Sequence, residues 1–351
     1  MGEMNVAVLY GKEDVRIERL PVPKAAAGEI VVRIHAALTC GTDLKVYRRG
    51  YHARMLRPPV PFGHELAGIV SEIGADVTEF RPGDRVVALN SAPCGECYFC
   101  KREQENLCDD LLFNNGAYAE FIRIPARIVA KNTLHVPANV KLEHAAMTEP
   151  LACVVQGMDD TGVQAGDHLA VIGAGPIGLM FIHLAARMGA HVIAVVKREE
   201  QAELARSLGA EHVVQTTRGD VIEAVRAFTP NGRGADAVVE AVAQPETWQW
   251  AVEMARKGGV VNFFGGCAAG TKVELDTNLL HYNSLTLRAS FHHRPSVSRR
   301  AFEWIASGRF ACEKFITGRS PLEDLVPVFE RMMQRTSDVK TAILPGGLNE
   351  R

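Results

Sequence analysis

The feature that most restricts this 351-residue chain is a glycine pattern, Gly173-Ala-Gly175-Pro-Ile-Gly178, set between the apolar run Leu169-Ala-Val-Ile172 and a helical stretch. A strand turning tightly into a helix needs the first glycine. The second lets a phosphate approach the backbone, and the third lets helix and strand pack closely. Around this pattern, apolar runs alternate with amphipathic segments: 168–172 then 176–188, 191–196 then 199–208, 235–240 then 246–257, and finally 259–264. The alternation predicts repeated βαβ units and a doubly wound parallel sheet over residues 151–288. Gly173, Gly175, Pro176, Ile177 and Gly178 would then meet a dinucleotide's phosphates at the positive end of a helix.

Residues 1–150 read differently. Segments 29–36, 85–89 and 119–124 are short, β-branched or alternating, and are separated by turns such as Gly83-Asp84. After about residue 285 the texture is mixed again, with helices expected at 298–307 and 322–334. The chain is too long for one comfortable core. An α/β architecture is expected: a β-rich domain over 1–150, the doubly wound domain over 151–288, and a tail, 289–351, that returns to the first. With 39 Lys+Arg against 41 Asp+Glu and no basic stripe, nucleic acid is not an expected partner. The longest apolar stretch, 169–180, is broken by glycines and Pro176 and is too short for a bilayer. Residues 1–10 lack a charged-then-apolar leader, so the expected address is the cytoplasm.

Four of the eight cysteines crowd into one loop as Cys94-x2-Cys97-x2-Cys100-x7-Cys108. In a chain read as cytoplasmic, such a cluster is a metal site and not a disulfide framework. Four thiolates suit a closed, structural zinc. An iron–sulfur run would place its last cysteine three residues on and before proline, whereas here seven residues intervene and Asp109 follows. Cys153, Cys267 and Cys312 are expected to be small buried hydrophobes. A second, dispersed set comprises Cys40-Gly-Thr42-Asp43, Gly63-His64-Glu65 and Glu149-Pro150. Cysteine, histidine and a carboxylate satisfy an open, catalytic zinc, which makes two zinc ions per chain.

The second strand of the doubly wound domain bears on the choice of dinucleotide. An acid near its end would hold a ribose 2′-hydroxyl. Here Val196 is followed by Lys197 and Arg198, with Glu199 and Glu200 starting the next helix. Two cations suit a 2′-phosphate, so NADP is favoured and NAD remains the alternative.

The segments Gly63-His64-Glu65-Leu66-Ala67-Gly68, Pro82-Gly83-Asp84-Arg85-Val86, the four-cysteine loop, Gly116-Ala117-Tyr118-Ala119-Glu120 and Gly173 to Gly178 occur in this order. Together they make the whole chain resemble the zinc-dependent medium-chain alcohol dehydrogenases, most closely the polyol (sorbitol) and threonine dehydrogenase branch. The resemblance implies a GroES-like catalytic domain, a Rossmann domain, and a homo-oligomer, tetramer or dimer. It matches Cys40 and His64 to the common zinc ligands, and Glu65 to the glutamate that binds zinc or swings onto it. Glu149 matches the acid at the fourth position, Thr42 the start of a proton relay, and Asp43 the carboxylate that orients His64. The branch usually carries histidine at the outer end of the relay, where this chain has Lys45.

The implied reaction moves a hydride between NAD(P) and a secondary alcohol or ketone. Phe291, His292 and His293, followed by Arg294, lie where the polyol branch lines its pocket, and their polarity suits a hydroxyl-rich or anionic substrate. A sugar alcohol or cyclitol leads; threonine or another amino alcohol, then a simple secondary alcohol, are the alternatives. A non-catalytic NADP-binding relative would have lost Cys40, His64 or Thr42. A zinc-free reductase of the same fold would lack both metal sets.

Overall fold

The computed structural model describes residues 2–52, 54–334 and 338–347. Two compact units are present: Met1–Ala152 with His293–Arg351, and Cys153–His292. The boundary of the second unit falls inside the helix Thr148–Thr161 at one end and between His292 and His293 at the other.

In the first unit the strand Ile30–Leu38 is the organising element, buried along most of its length. It pairs antiparallel with Leu66–Ile73 and Phe121–Ile124, and near its end with Lys340–Leu344 from the C-terminal segment. Ile316–Pro321 extends the same sheet, whereas Glu3–Gly11 belongs to a separate three-stranded sheet. Aromatic packing ties the segments together. Phe329, on the helix Leu325–Met333, lies 5.9 Å from Phe62, 6.0 Å from Tyr118 and 5.3 Å from Tyr47 between ring centroids. The N-terminal core therefore needs the C-terminal segment to exclude water.

The second unit contains six parallel strands: β1 (His168–Ile172), β2 (His191–Val196), β3 (His212–Gln215), β4 (Ala235–Glu240), β5 (Ala255–Phe263) and β6 (Thr286–Arg288). Their spatial order is β3-β2-β1-β4-β5-β6. The chain thus reverses its direction of winding between β1 and β4, which makes a crevice at their carboxyl ends. Ala170, Ile172, Ile193, Val238 and Val261 are fully buried, as expected of a sheet covered on both faces. The intervening helices are α1 (Pro176–Arg187), α2 (Glu199–Ser207), α3 (Val221–Ala227) and α4 (Pro245–Met254).

The fold departs from the sequence expectations at several points. The helix expected over 246–257 stops at Met254, where Ala255 turns extended (φ -74, ψ 144) and opens β5. Ala255 pairs with Ala235, and Arg256 Nε binds Asp236 Oδ1 at 2.5 Å, so cross-strand contacts outweigh helical periodicity. Neither β3 nor α3 was expected; α3 is capped by Asp220, which accepts from Ile222 N and Glu223 N. Residues 322–324 form a 3-10 turn before the helix Leu325–Met333. Cys312 is buried, but Cys153 and Cys267 are only half-buried. No described helix is long and apolar enough to cross a membrane.

Candidate metal centres and dinucleotide crevice

Cys40 caps the helix Gly41–Arg49, its sulfur accepting from Thr42 N at 3.4 Å. Capping places Thr42 and Asp43 on the first turn, with Thr42 half-buried and Asp43 buried. Lys45, three residues on, is exposed. His64 and Glu65 follow Gly63, whose φ of +90 favours glycine. Close packing also demands it, because a Cβ there would fall 2.6 Å from Tyr118 Cδ2. The turn delivers both side chains inward, and ligand atoms of Cys40, His64 and Glu65 all lie within 4.8 Å of one another.

Behind these atoms the first unit is polar and sealed. His64 Nδ1 bonds Asp43 Oδ1 at 2.9 Å, and Tyr118 donates its hydroxyl to Asp43 Oδ2 at 2.6 Å. Burial opposes charging of the His64 ring, but Asp43 and the Cys40 sulfur outweigh it and hold its pKa well above the ordinary value. Lys340 lies 2.9 Å from Glu65 Oε1 and 2.8 Å from Oε2, and it also donates to the Thr39 carbonyl at 2.7 Å. Both partners are buried. Burial works against the Lys340 ammonium; the Glu65 carboxylate, with the Cys40 sulfur, prevails and keeps it charged.

Glu149, on the first turn of Thr148–Thr161, is buried within electrostatic reach of His64, Glu65 and Lys340. Burial, reinforced by Glu65, raises its carboxyl to about 7. Its Oε1 lies 3.7 Å from His293 Nε2. His293 is itself buried, 3.2 Å from Asn90 Oδ1 and 3.3 Å from Ser298 Oγ, and burial lowers its pKa to about 3. Of the residues expected to line a pocket, Phe291 and His292 belong to the other unit, with Phe291 exposed and His292 half-buried at a φ of +62.

The four-cysteine loop closes on itself. Sulfur separations are 3.5 Å for Cys97–Cys100 and Cys94–Cys108, 3.8 Å for Cys97–Cys108 and 3.9 Å for Cys94–Cys100. Four sulfurs at about 2.3 Å from a tetrahedral zinc stand about 3.8 Å apart, so the donor set fits that ion. Backbone amides of Gly95, Glu96 and Cys97 point at the sulfurs, and those of Cys100 and Asp109 lower the Cys97 pKa to about 6.

In the second unit, Gly173 ends β1 at a φ of +101, and α1 starts with Pro176 in its first turn. Lys197 is exposed after β2, while Arg198 caps α2. Gln201 Oε1 accepts from Lys197 N at 3.3 Å and Arg198 N at 3.2 Å, and its amide donates to Ala174 O at 3.3 Å. Glu199 is engaged elsewhere, by Gln215 at 2.6 Å, Arg206 at 3.3 Å and Arg218 at 3.7 Å.

Several of these residues escape a reading of sequence alone. Lys340 and Asn90 sit in ordinary strand and turn contexts, and Gln201 in an ordinary helical one. His52 is half-buried; burial, with His64 as a lesser cause, lowers its pKa, and its Nδ1 accepts from Arg54 N at 3.2 Å and Met55 N at 3.0 Å. Two amides on Nδ1 fix the neutral tautomer whose proton is on Nε2. A histidine within a dozen residues of Cys40 was the available signal.

Comparison with known proteins agrees in both units. Residues 26–138 match the alcohol dehydrogenase GroES-like domain, and residues 176–307 the zinc-binding dehydrogenase domain. The chain is 29% identical to sorbitol dehydrogenase of Bacillus subtilis (strain 168), covering 97% of each chain. It is 32% identical to L-threonine 3-dehydrogenase of Bacillus licheniformis, covering 95% of this chain and 96% of the relative. A chain from Sinorhizobium meliloti 1021, solved bound to NADP, superposes with a TM-score of 0.89 at 29% identity, over 98% of this chain and all of that one. By domain content and by likeness along nearly its whole length, this chain belongs to the zinc-dependent medium-chain alcohol dehydrogenase family and is an oxidoreductase.

Proposed function

We propose that the chain oxidises a secondary alcohol of a polyol or cyclitol, or reduces the matching ketone, with NADP as its preferred cofactor. The observation that carries this reading is the convergence of half-buried Cys40 with buried His64 and Glu65, backed by Asp43 and within reach of Glu149. Cys40, His64 and one of the two glutamates would hold a zinc ion, and the Cys94 loop a second. Bound zinc would supply a Lewis acid that eases loss of the hydroxyl proton, and the nicotinamide would supply the hydride carrier. Asp43 takes the Nδ1 proton of His64 in a hydrogen bond, which leaves Nε2 as the ligand atom and raises its basicity. Thr42 Oγ1 would accept the substrate proton as it passes its own hydroxyl proton on towards solvent, and Lys45, exposed three residues along the same helix, replaces the histidine usual at the outer end. Lys340 competes for both Glu65 oxygens, which favours Glu149 as the acid that completes or orders the open position. His52, with Nε2–H free of its backbone bonds, adds a donor suited to a hydroxyl-rich substrate.

Support for NADP comes from Lys197 and Arg198 after β2, and from Glu199 being tied to Gln215, Arg206 and Arg218. The NADP-bound structural relative is consistent with it. A charge-assisted contact to a 2′-phosphate corresponds to roughly ten- to a hundredfold in preference. Threonine or another amino alcohol is the second reading, favoured by the 32% identity to a threonine dehydrogenase. A panel of polyols, cyclitols, threonine and simple secondary alcohols, run with each cofactor on zinc-loaded enzyme, tests both points. The expected result is highest kcat/KM on a polyol with NADP, and loss of the NADP preference in Arg198→Ala. Equal or better turnover with NAD means that Lys197 and Arg198 only face solvent.

A further inference from the structure

Glu240 ends β4 at the carboxyl edge of the sheet, paired across the crevice with Ile172 of β1. It is fully buried, and the chemistry above does not use it. Its Oε1 accepts from Val242 N and Ala243 N, each at 2.8 Å, and from Thr247 Oγ1 at 2.7 Å. Burial raises its carboxyl above the ordinary range although these donors pull the other way. Its Oε2 is buried without a hydrogen-bond partner among the described residues. A Cβ on Gly265 would fall 2.5 Å from that oxygen and 2.7 Å from Ala243 N, so the chain is kept bare around it.

The groups that Glu240 gathers form the turn between β4 and α4. Ala243 has a φ of +71, a left-handed conformation that is costly for a residue with a Cβ and needs holding from outside the turn. The turn abuts the glycine loop: Ala241 N donates to Ile172 O at 2.9 Å, and a Cβ on Gly173 would meet Val242 Cγ2 at 2.6 Å. The Gly173 turn and the Ala241–Gln244 turn are therefore the two lips of the crevice at the reversal between β1 and β4, where sheets of this order receive their ligand.

We propose that Glu240 is a positioning residue that fixes the second lip of this crevice and thereby sets affinity for the nicotinamide dinucleotide. The inference rests on the nicotinamide-dependent reading above. It acts through an acceptor oxygen shared by three donors, so an acceptor and not a charge is what the position requires.

The test titrates zinc-loaded, full-length protein with NADPH by fluorescence and follows with steady-state kinetics. Glu240→Ala is expected to raise the NADPH Kd roughly tenfold, with the alcohol KM at saturating cofactor within about twofold of wild type. Glu240→Gln keeps an acceptor and should stay within about threefold of wild type. Val238→Ala, in the buried core of the same strand, should lower Tm without moving Kd. If Glu240→Ala fails to fold, Thr247→Val removes one donor and should raise Kd by about threefold. An unchanged Kd in either folded variant overturns the inference, as does an equal rise in Val238→Ala. Failure of wild type to bind NADPH or NADH would instead refute the cofactor reading beneath it.

Discussion

The two metal centres proposed in the first unit are built in opposite ways. The Cys94 loop draws its four sulfurs from one short stretch, whereas Cys40, His64, Glu65 and Glu149 come from separate segments. The loop's sulfurs are held by nearby backbone amides, as in Glu96 N and Cys97 N to Cys94. The dispersed set is held by tertiary partners: Asp43 behind His64, Tyr118 behind Asp43, and Lys340 from the C-terminal strand against Glu65. Local closure makes a centre that depends little on the rest of the fold. Dispersed convergence makes one that is buried, electrostatically coupled and sensitive to residues far away in sequence.

The largest effect should follow from removing a proposed ligand of the dispersed centre. Cys40→Ser or His64→Ala is expected to lower kcat/KM by roughly a thousandfold or more, the scale of several kcal/mol of Lewis-acid assistance. Thermal melts should show the fold retained. Near-normal turnover in either variant breaks the division into an open and a closed centre.

Next in size is the buried ion pair. Lys340→Met leaves Glu65 buried and unpaired, which costs about 3–5 kcal/mol when one partner of such a pair is lost. Adding Glu65→Gln should recover much of that loss. If Glu65 can reach zinc, the penalty of Lys340→Met will be smaller in zinc-loaded than in zinc-free protein. Urea denaturation of both forms measures this; equal penalties would confine Glu65 to a structural role.

The smallest effect concerns pH. His293 is buried with its pKa lowered to about 3, so the fold favours its neutral form. Its contribution is complete above the ordinary histidine pKa and is lost as pH falls from there towards 3. Between pH 7.5 and 5.5 it should remove about 1 kcal/mol of stability. His293→Asn should flatten that slope, and unfolding curves at the two pH values check it. An unchanged slope assigns the acid sensitivity to other groups.

The same contrast explains how much could be read from the sequence. The Cys94 loop was legible because its spacing is its geometry. The glycine turn and β1, β2 and β4 were legible because periodicity and the Gly173–Gly178 pattern agree. The dispersed set could be nominated by residue type, but individual roles within it came only with family resemblance, since nothing local joins Cys40 to His64 or Glu149. Lys340, Asn90 and Glu240 were missed because their importance lies in long-range pairing, with Glu65, His293 and the β4–α4 turn respectively. The early end of α4 was missed for a related reason: Ala255 and Arg256 keep helical periodicity in sequence but pair with Ala235 and Asp236 in space.

We propose that the closed and the open zinc centre load independently. Zinc content per chain, measured on zinc-loaded and desalted wild type and Cys40→Ser, tests it most directly. Two ions are expected in wild type and one, with turnover lost, in the folded variant. Two ions and retained turnover in Cys40→Ser, or a single ion in wild type, would contradict it.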